Sequence, residues 1–153
     1  MIAERTPLYR RPRADRSRIF GDVWVGNLEA AENCYNQPGW TVIDVREDER
    51  TPRARNVVQA PLLGWDGPNT PAASPARLER ACAAIDAALA AGNRVMVHCW
   101  MGRERSPLAV VHWLMTRHGM HINSAYDLLK NQRRWVLDRR EWLWAKPQMG
   151  FAK

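Results

Sequence analysis

A cysteine, an arginine and a serine stand close together in VMVHCWMGRERSP, Val95 to Pro107. His98 and Cys99 end a β-branched apolar run, five residues separate Cys99 from Arg105, and Ser106 and Pro107 follow. A cysteine that only packs gains nothing from Arg103, Glu104 and Arg105 beside it, whereas a thiolate that meets an anion does. Gly102 permits a tight curl, so the N–H groups between Cys99 and a helix starting at Ser106 can converge on one point. That arrangement is an anion cradle. Arg105 adds a planar fork of donors suited to two oxygens of a phosphate. The same positive field lowers a thiol pKa into roughly the 3.5–7.5 range of activated cysteines. One loop thus supplies a nucleophile and an oxyanion site.

Such a loop needs a buried strand before it and a helix after it. RVMVHC is apolar and β-branched, as a central strand requires. Ser106 and Pro107 open a helix on which Leu108, Val111, Leu114 and Met115 recur at helical spacing. Upstream, DVWVGN predicts a short strand, LEAAENCYN a short helix, TVIDV a buried strand and VVQAP another strand. Polar REDERTPRAR and the Gly/Pro/Asn-rich LLGWDGPNTPAASP read as surface loops. Ser74 and Pro75 cap a helix whose Leu78, Cys82, Ile85 and Leu89 share a face and which Gly92 ends, so Cys82 is a packing residue. Asn123 or Ser124 is expected to cap a helix through SAYDLLKNQRR, and DRREWLW to add a last one. Strands alternating with helices predict an α/β fold, a central mostly parallel sheet flanked by helices.

The chain has 153 residues, enough for one domain with its own core. Its 46% apolar and 25% charged content is that of a soluble globular protein. No apolar run reaches membrane-span length, and MIAERTPLYRRPRADRSR lacks the apolar stretch of a secretory signal. Cys34, Cys82 and Cys99 are odd in number and widely spaced, which points to a reducing, intracellular and cytoplasmic setting. No CxxC or HExxH spacing occurs, so no metal or other cofactor is expected. The net charge of +7 is uneven: residues 1–18 carry six arginines against Glu4 and Asp15, a net +4. Arg133, Arg134, Arg139 and Arg140 form a second cluster. The chain therefore divides into a basic, weakly ordered arm (1–17) and a catalytic domain (18–153). The arm is either a solvated tail or a docking element for a polyanion such as RNA or acidic lipid. Nothing in the sequence sets the oligomeric state.

His-Cys, five residues and Arg-Ser is similar to the signature of cysteine-dependent protein phosphatases, and the glycine at the third loop position resembles the dual-specificity members. IFGDVWVGNLEAAEN looks like the entry strand and helix of that family, and SPLAVVHWLM with SAYDLLKNQRR is similar to its closing helices. The resemblance covers roughly residues 18 to 135. It implies a phosphotyrosine-phosphatase-like fold, a phosphorylated protein substrate, and hydrolysis through a cysteinyl-phosphate without metal. In that scheme Cys99 attacks, Arg105 and the loop amides hold the phosphoryl oxygens, Ser106 hydrogen-bonds the sulfur, and His98 orients the loop. Trp100, Met101, Gly102, Arg103 and Glu104 line the substrate site. Asp66, 33 residues before Cys99, is the expected general acid, because its WDGP is similar to the Trp-Pro-Asp loop of tyrosine-specific relatives. Without the cysteine loop, the same Asp-Gly reads as a turn. Asp44 in a strand, Asp48 in an early polar loop and Asp86 in a helix are poorer candidates. His112, His118 and His121 receive no role.

Two features depart from the pattern. Trp100 and Met101 are bulkier than many members carry, and Glu104 is tolerable beside the phosphate site only if it points out or pairs with Arg103. Several readings stay open. VIDVRE looks like the opening strand of a rhodanese-type domain, although sulfurtransferases of that type place one residue fewer between Cys and Arg. A phosphate-binding pseudophosphatase is another, opposed by the retention of Cys99, Arg105, Ser106 and Asp66. Within phosphatases, phosphotyrosine, phosphoserine/threonine, phosphoinositides and RNA 5′-phosphates all remain. No aromatic phosphotyrosine-recognition segment stands upstream, which favours a shallow, permissive site.

Overall fold

The computed structural model describes residues 12–47, 54–65 and 71–143. In chain order the elements are β1 (Arg16–Phe20), β2 (Val23–Gly26), α1 (Leu28–Asn33), β3 (Trp40–Asp44), β4 (Val57–Gln59), β5 (Leu63–Trp65), β6 (Pro71–Ala73), α2 (Pro75–Ala90), β7 (Arg94–His98), α3 (Arg105–His118) and α4 (Ile122–Gln132). Five strands form one sheet in the order β1-β2-β7-β3-β4. β1 runs antiparallel to β2; the other pairings are parallel.

β7 lies mid-sheet because it is apolar on both faces, and Val95, Met96, Val97 and His98 are all fully buried. Alternation sends Val95 and Val97 into the larger core, with Leu78, Ile85 and Leu108. Met96 points the other way, into a smaller core with Ala30, Ala31 and Trp40. The sheet is thus covered by α1 on one face and by α2 and α3 on the other. Ser106 through Val111 are buried without interruption, so the first half of α3 has no solvent face. Truncating Leu108 there would cost about 2–5 kcal/mol. Ser74 caps α2 by accepting from the Arg77 N–H, and Pro75 occupies its first turn. No described helix is long and apolar enough to cross a membrane.

Three expectations need correction, and a fourth is met over the described residues. The stretch from Leu62 is not all loop: β5 and β6 pair antiparallel there. His121, rather than Asn123 or Ser124, caps α4, its Nδ1 accepting from the Asn123 N–H at 3.1 Å. Asn123 instead accepts from Arg140 at 2.7 Å. Strand β1 starts at Arg16, so the boundary drawn between residues 17 and 18 falls inside the sheet. The last expected helix is helical over 140–143, and its remainder lies outside the described residues.

Candidate active site

The parallel register aligns Gly26, His98 and Asp44 at the C-terminal edge of β2, β7 and β3. Ligands of α/β proteins bind at this edge, and the chain turns here from Cys99 toward α3. The turn is possible because two glycines meet. A Cβ on Gly102 would lie 2.7 Å from the Gly26 carbonyl and 2.8 Å from Arg133 Nη2, and its φ of +71° favours glycine independently.

Six consecutive carbonyls of the loop are drawn outward by the scaffold. His98 O accepts from the Val45 N–H at 3.0 Å. Cys99 O accepts from His98 Nδ1 at 2.9 Å. Trp100 O accepts from the Leu28 N–H at 3.0 Å. Met101 O and Gly102 O accept from Nη2 and Nε of Arg133 at 3.0 and 2.8 Å. Arg103 O accepts from the Leu137 N–H at 2.8 Å. The amides of Gly102 and Ser106 are turned the other way, toward the Cys99 sulfur.

Three cysteines of nearly equal burial show what this does. Cys34 is 2% exposed, Cys82 0% and Cys99 2%. Burial raises the Cys34 thiol pKa and pushes Cys82 up to about 12, as loss of solvation does to any thiolate. Burial acts on Cys99 too, yet its pKa lies below the ordinary thiol value. The Ser106 hydroxyl and amide, the Arg105 charge and the Gly102 amide outweigh it. Ser106 Oγ lies 3.3 Å from Cys99 Sγ.

Arg105 Nη1 is held by Glu47 Oε1 at 2.7 Å. Glu104 turns neither free to solvent nor to Arg103; it pairs with Arg139 at 3.2 Å. Arg103 instead donates to Trp135 O at 3.2 Å. The bulky Trp100 and Met101 stand exposed at the rim. His98 is fully buried; burial lowers its pKa against the opposing pull of Asp44. Because Nδ1 donates to a carbonyl, the neutral ring leaves Nε2 unprotonated, 3.8 Å from Asp44 Oδ1. Asp44 is itself occupied, accepting two side-chain bonds of 2.9 Å from Arg46. Asp86 accepts from Trp113 and Arg117, bracing α2 against α3. Asp66 and Asp48 lie outside the described residues.

The sequence reading missed Arg133, which it counted among surface charges. Arg133 is buried, and besides the two loop carbonyls it reaches Asp15 at 3.2 Å and Ser17 at 3.1 Å. The signal was its spacing: Arg133 continues the buried face of α4 four residues beyond Leu129 and eight beyond Ala125. Of the rest of that cluster, Arg139 and Arg140 are also paired, the latter with Asp138 at 2.8 Å. Glu47 and Asn27 were missed too. Asn27 caps α1 through the Ala30 N–H and clasps the segment before β1, its amide donating to Arg13 O at 2.8 Å. WVGN carries an N-cap signature that would have shown the first of these roles.

A cysteine of lowered pKa at the edge of a parallel sheet, with an arginine-closed amide loop opening a helix, defines the cysteine-based phosphatase class. The profile of the family described as "Dual specificity phosphatase, catalytic domain" matches residues 28–145. The chain belongs to that family. Human dual specificity phosphatase 28 is 30% identical over 119 residues, covering 76% of this chain and 66% of the relative. The Drosophila melanogaster dual specificity protein phosphatase MPK-4 is 28% identical over 136 residues, covering 85% of this chain but 32% of the relative. This chain thus spans only part of the length of these relatives. The crystal structure of human DUSP28 superposes with a TM-score of 0.67 at 25% identity, covering 92% of this chain and 93% of that one. These matches displace the rhodanese-type reading.

Proposed function

We propose that the protein hydrolyses phosphate monoesters of proteins, on tyrosine and on serine or threonine, through a cysteinyl-phosphate on Cys99. The observation that carries this is the geometry of one loop: its carbonyls are taken up by the scaffold, Ser106 Oγ lies 3.3 Å from the Cys99 sulfur and Arg105 opens the helix that follows, and these groups hold the Cys99 thiol below its ordinary pKa. Cys99 Sγ attacks phosphorus as the bond to the ester oxygen breaks, and Asp66 gives that oxygen its proton. With Nη1 engaged by Glu47, Arg105 retains Nε–H and Nη2–H donors, which with the loop amides hold the phosphoryl oxygens. A water that loses its proton to Asp66 then attacks phosphorus, the sulfur–phosphorus bond breaks, and Ser106 steadies the departing thiolate. His98 and Arg133 hold the loop in shape. No metal or other cofactor enters the scheme, so activity should survive chelators and be blocked by vanadate, a mimic of the transferring phosphoryl group.

The test of the acid is Asp66→Asn. The kcat should fall strongly on alkyl phosphates and less on aryl phosphates, whose leaving groups need less protonation. The alkaline limb of the pH profile, where the acid normally deprotonates, should disappear. Unchanged kinetics on both substrates would assign the proton to another residue. Three free cysteines suit a reducing, intracellular compartment.

A further inference from the structure

Beside the catalytic loop a groove of about 580 Å³ opens between Arg13, Trp100, Met101, Arg103 and Trp135. Trp100 is 46% exposed, Met101 58% and Trp135 51%, the three largest exposures among the described large hydrophobic side chains. One such residue would mean little; three around a single cleft mark a recognition surface. The walls are also set in advance. The Arg46 guanidinium stacks 4.3 Å from the Trp100 ring centroid and is itself clamped by Asp44. On the other side the Trp135 backbone is tied to Arg103, and Arg134 lies 4.8 Å from the Trp135 ring.

The charge around the groove is one-sided. Arg46, Arg105, Arg117, Arg133, Arg139 and Arg140 all pair with carboxylates. At the groove, Arg13 and Arg103, with Arg134 beside Trp135, are among the described arginines that have no such partner. The groove's acid, Asp15, is already engaged by Arg133. An aromatic-walled cleft rimmed by unpaired guanidinium groups suits a large apolar side chain with carboxylates beside it.

We propose that this groove is the specificity subsite for the substrate chain next to the phosphorylated residue, selecting an aromatic side chain flanked by acidic ones. The proposal rests on the reading of the Cys99 loop as a phosphoprotein phosphatase site. Continuity supports it: Trp100 follows Cys99 directly, with Cα atoms about 3.8 Å apart. An extended substrate advances about 3.3–3.6 Å per residue, so positions one to three away from the phosphorylated residue reach the groove.

The experiment uses the full chain, para-nitrophenyl phosphate and two phosphotyrosine peptides. One peptide carries Trp, Asp and Glu within three residues of the phosphotyrosine; the other carries Gly and Lys there. The acidic aromatic peptide should show a kcat/KM advantage of about tenfold or more, mainly in KM, shrinking as salt rises. Trp135→Ala, and separately Arg13→Gln, should lower its kcat/KM by a larger factor than that for para-nitrophenyl phosphate. Equal kcat/KM for the two peptides, alongside good turnover of the aryl phosphate, would overturn the subsite and leave the phosphatase reading intact. So would an equal loss on peptide and aryl phosphate in both variants. A preference for a 5′-phosphorylated oligonucleotide over both peptides would assign the groove to stacked bases instead. Absence of turnover on every phosphomonoester would remove the phosphatase reading and this subsite with it.

Discussion

Cys99 shows how little of a residue's chemistry follows from its burial. Burial acts on it as it does on Cys34 and Cys82, and the difference comes from donors three to seven residues further along the loop. The Cys-loop-Arg-Ser spacing made this legible in the sequence, because amides that converge on a helix N-terminus follow from chain geometry. Two consequences can be measured. In Cys99→Ser, turnover should vanish while vanadate binding persists, since serine keeps the loop but is scarcely ionised near neutral pH; substantial aryl phosphatase activity in the pure variant would contradict the assignment. In Ser106→Ala, a donor to the thiolate is lost, so the thiol pKa must rise. The rate of Cys99 alkylation by iodoacetamide should then climb at a higher pH than in the wild type. A profile that stays in place would take Ser106 out of the sulfur's surroundings. Glu104 was the residue whose partner the sequence could not show, because Arg103 is adjacent in the chain and Arg139 only in space.

At the scale of elements, the strands and helices were readable wherever an apolar period is long and clean, as in β7, α2 and α3. β5 and β6 were not. Three-residue strands containing Gly64, Pro71 and two alanines carry no alternation to recognise. The cap of α4 was misplaced because Asn123 and Ser124 are better intrinsic cap formers than His121, which won through its ring nitrogen. Arg133 is the element-scale determinant of the site, joining the end of α4 to the catalytic loop and to the segment before β1. In Arg133→Met, the Met101 and Gly102 carbonyls lose their donors, at a cost of about 1–3 kcal/mol for the buried Gly102 carbonyl left unpaired. Thermal stability should fall, and vanadate affinity should weaken beyond that fall, measured well below the transition. Arg133→Lys should recover part of both, as one ammonium can serve at least one carbonyl. Unchanged vanadate affinity in the folded Met variant would reduce Arg133 to a packing residue. Gly102→Ala should disable the loop, since its Cβ would strike backbone at Gly26.

Over the whole molecule, a net charge of +7 is split between arginines locked in ion pairs and arginines left open. Composition shows the total but not the division, which only the fold decides. It also relocates the arm. Asp15 holds Arg133 and Arg16 begins β1, so removing residues 1–17 would injure the site, whereas removing 1–11 would not touch these contacts. If the arm recruits RNA or acidic lipid, the shorter deletion should spare aryl phosphate hydrolysis, weaken polyanion binding and flatten its salt dependence, screening acting over about 8 Å at physiological ionic strength. Identical polyanion binding with and without residues 1–11 would make the arm a solvated tail. The central claim is that one thiolate carries the phosphoryl group between substrate and water. Quenching the wild-type protein in alkaline denaturant during turnover of an aryl phosphate, digesting it at alkaline pH and weighing the peptides by mass spectrometry tests this most directly. The account predicts an added phosphoryl group on the peptide holding Cys99, absent from Cys99→Ser. Phosphate on any other residue, or full turnover by the Cys99→Ser protein, would contradict it.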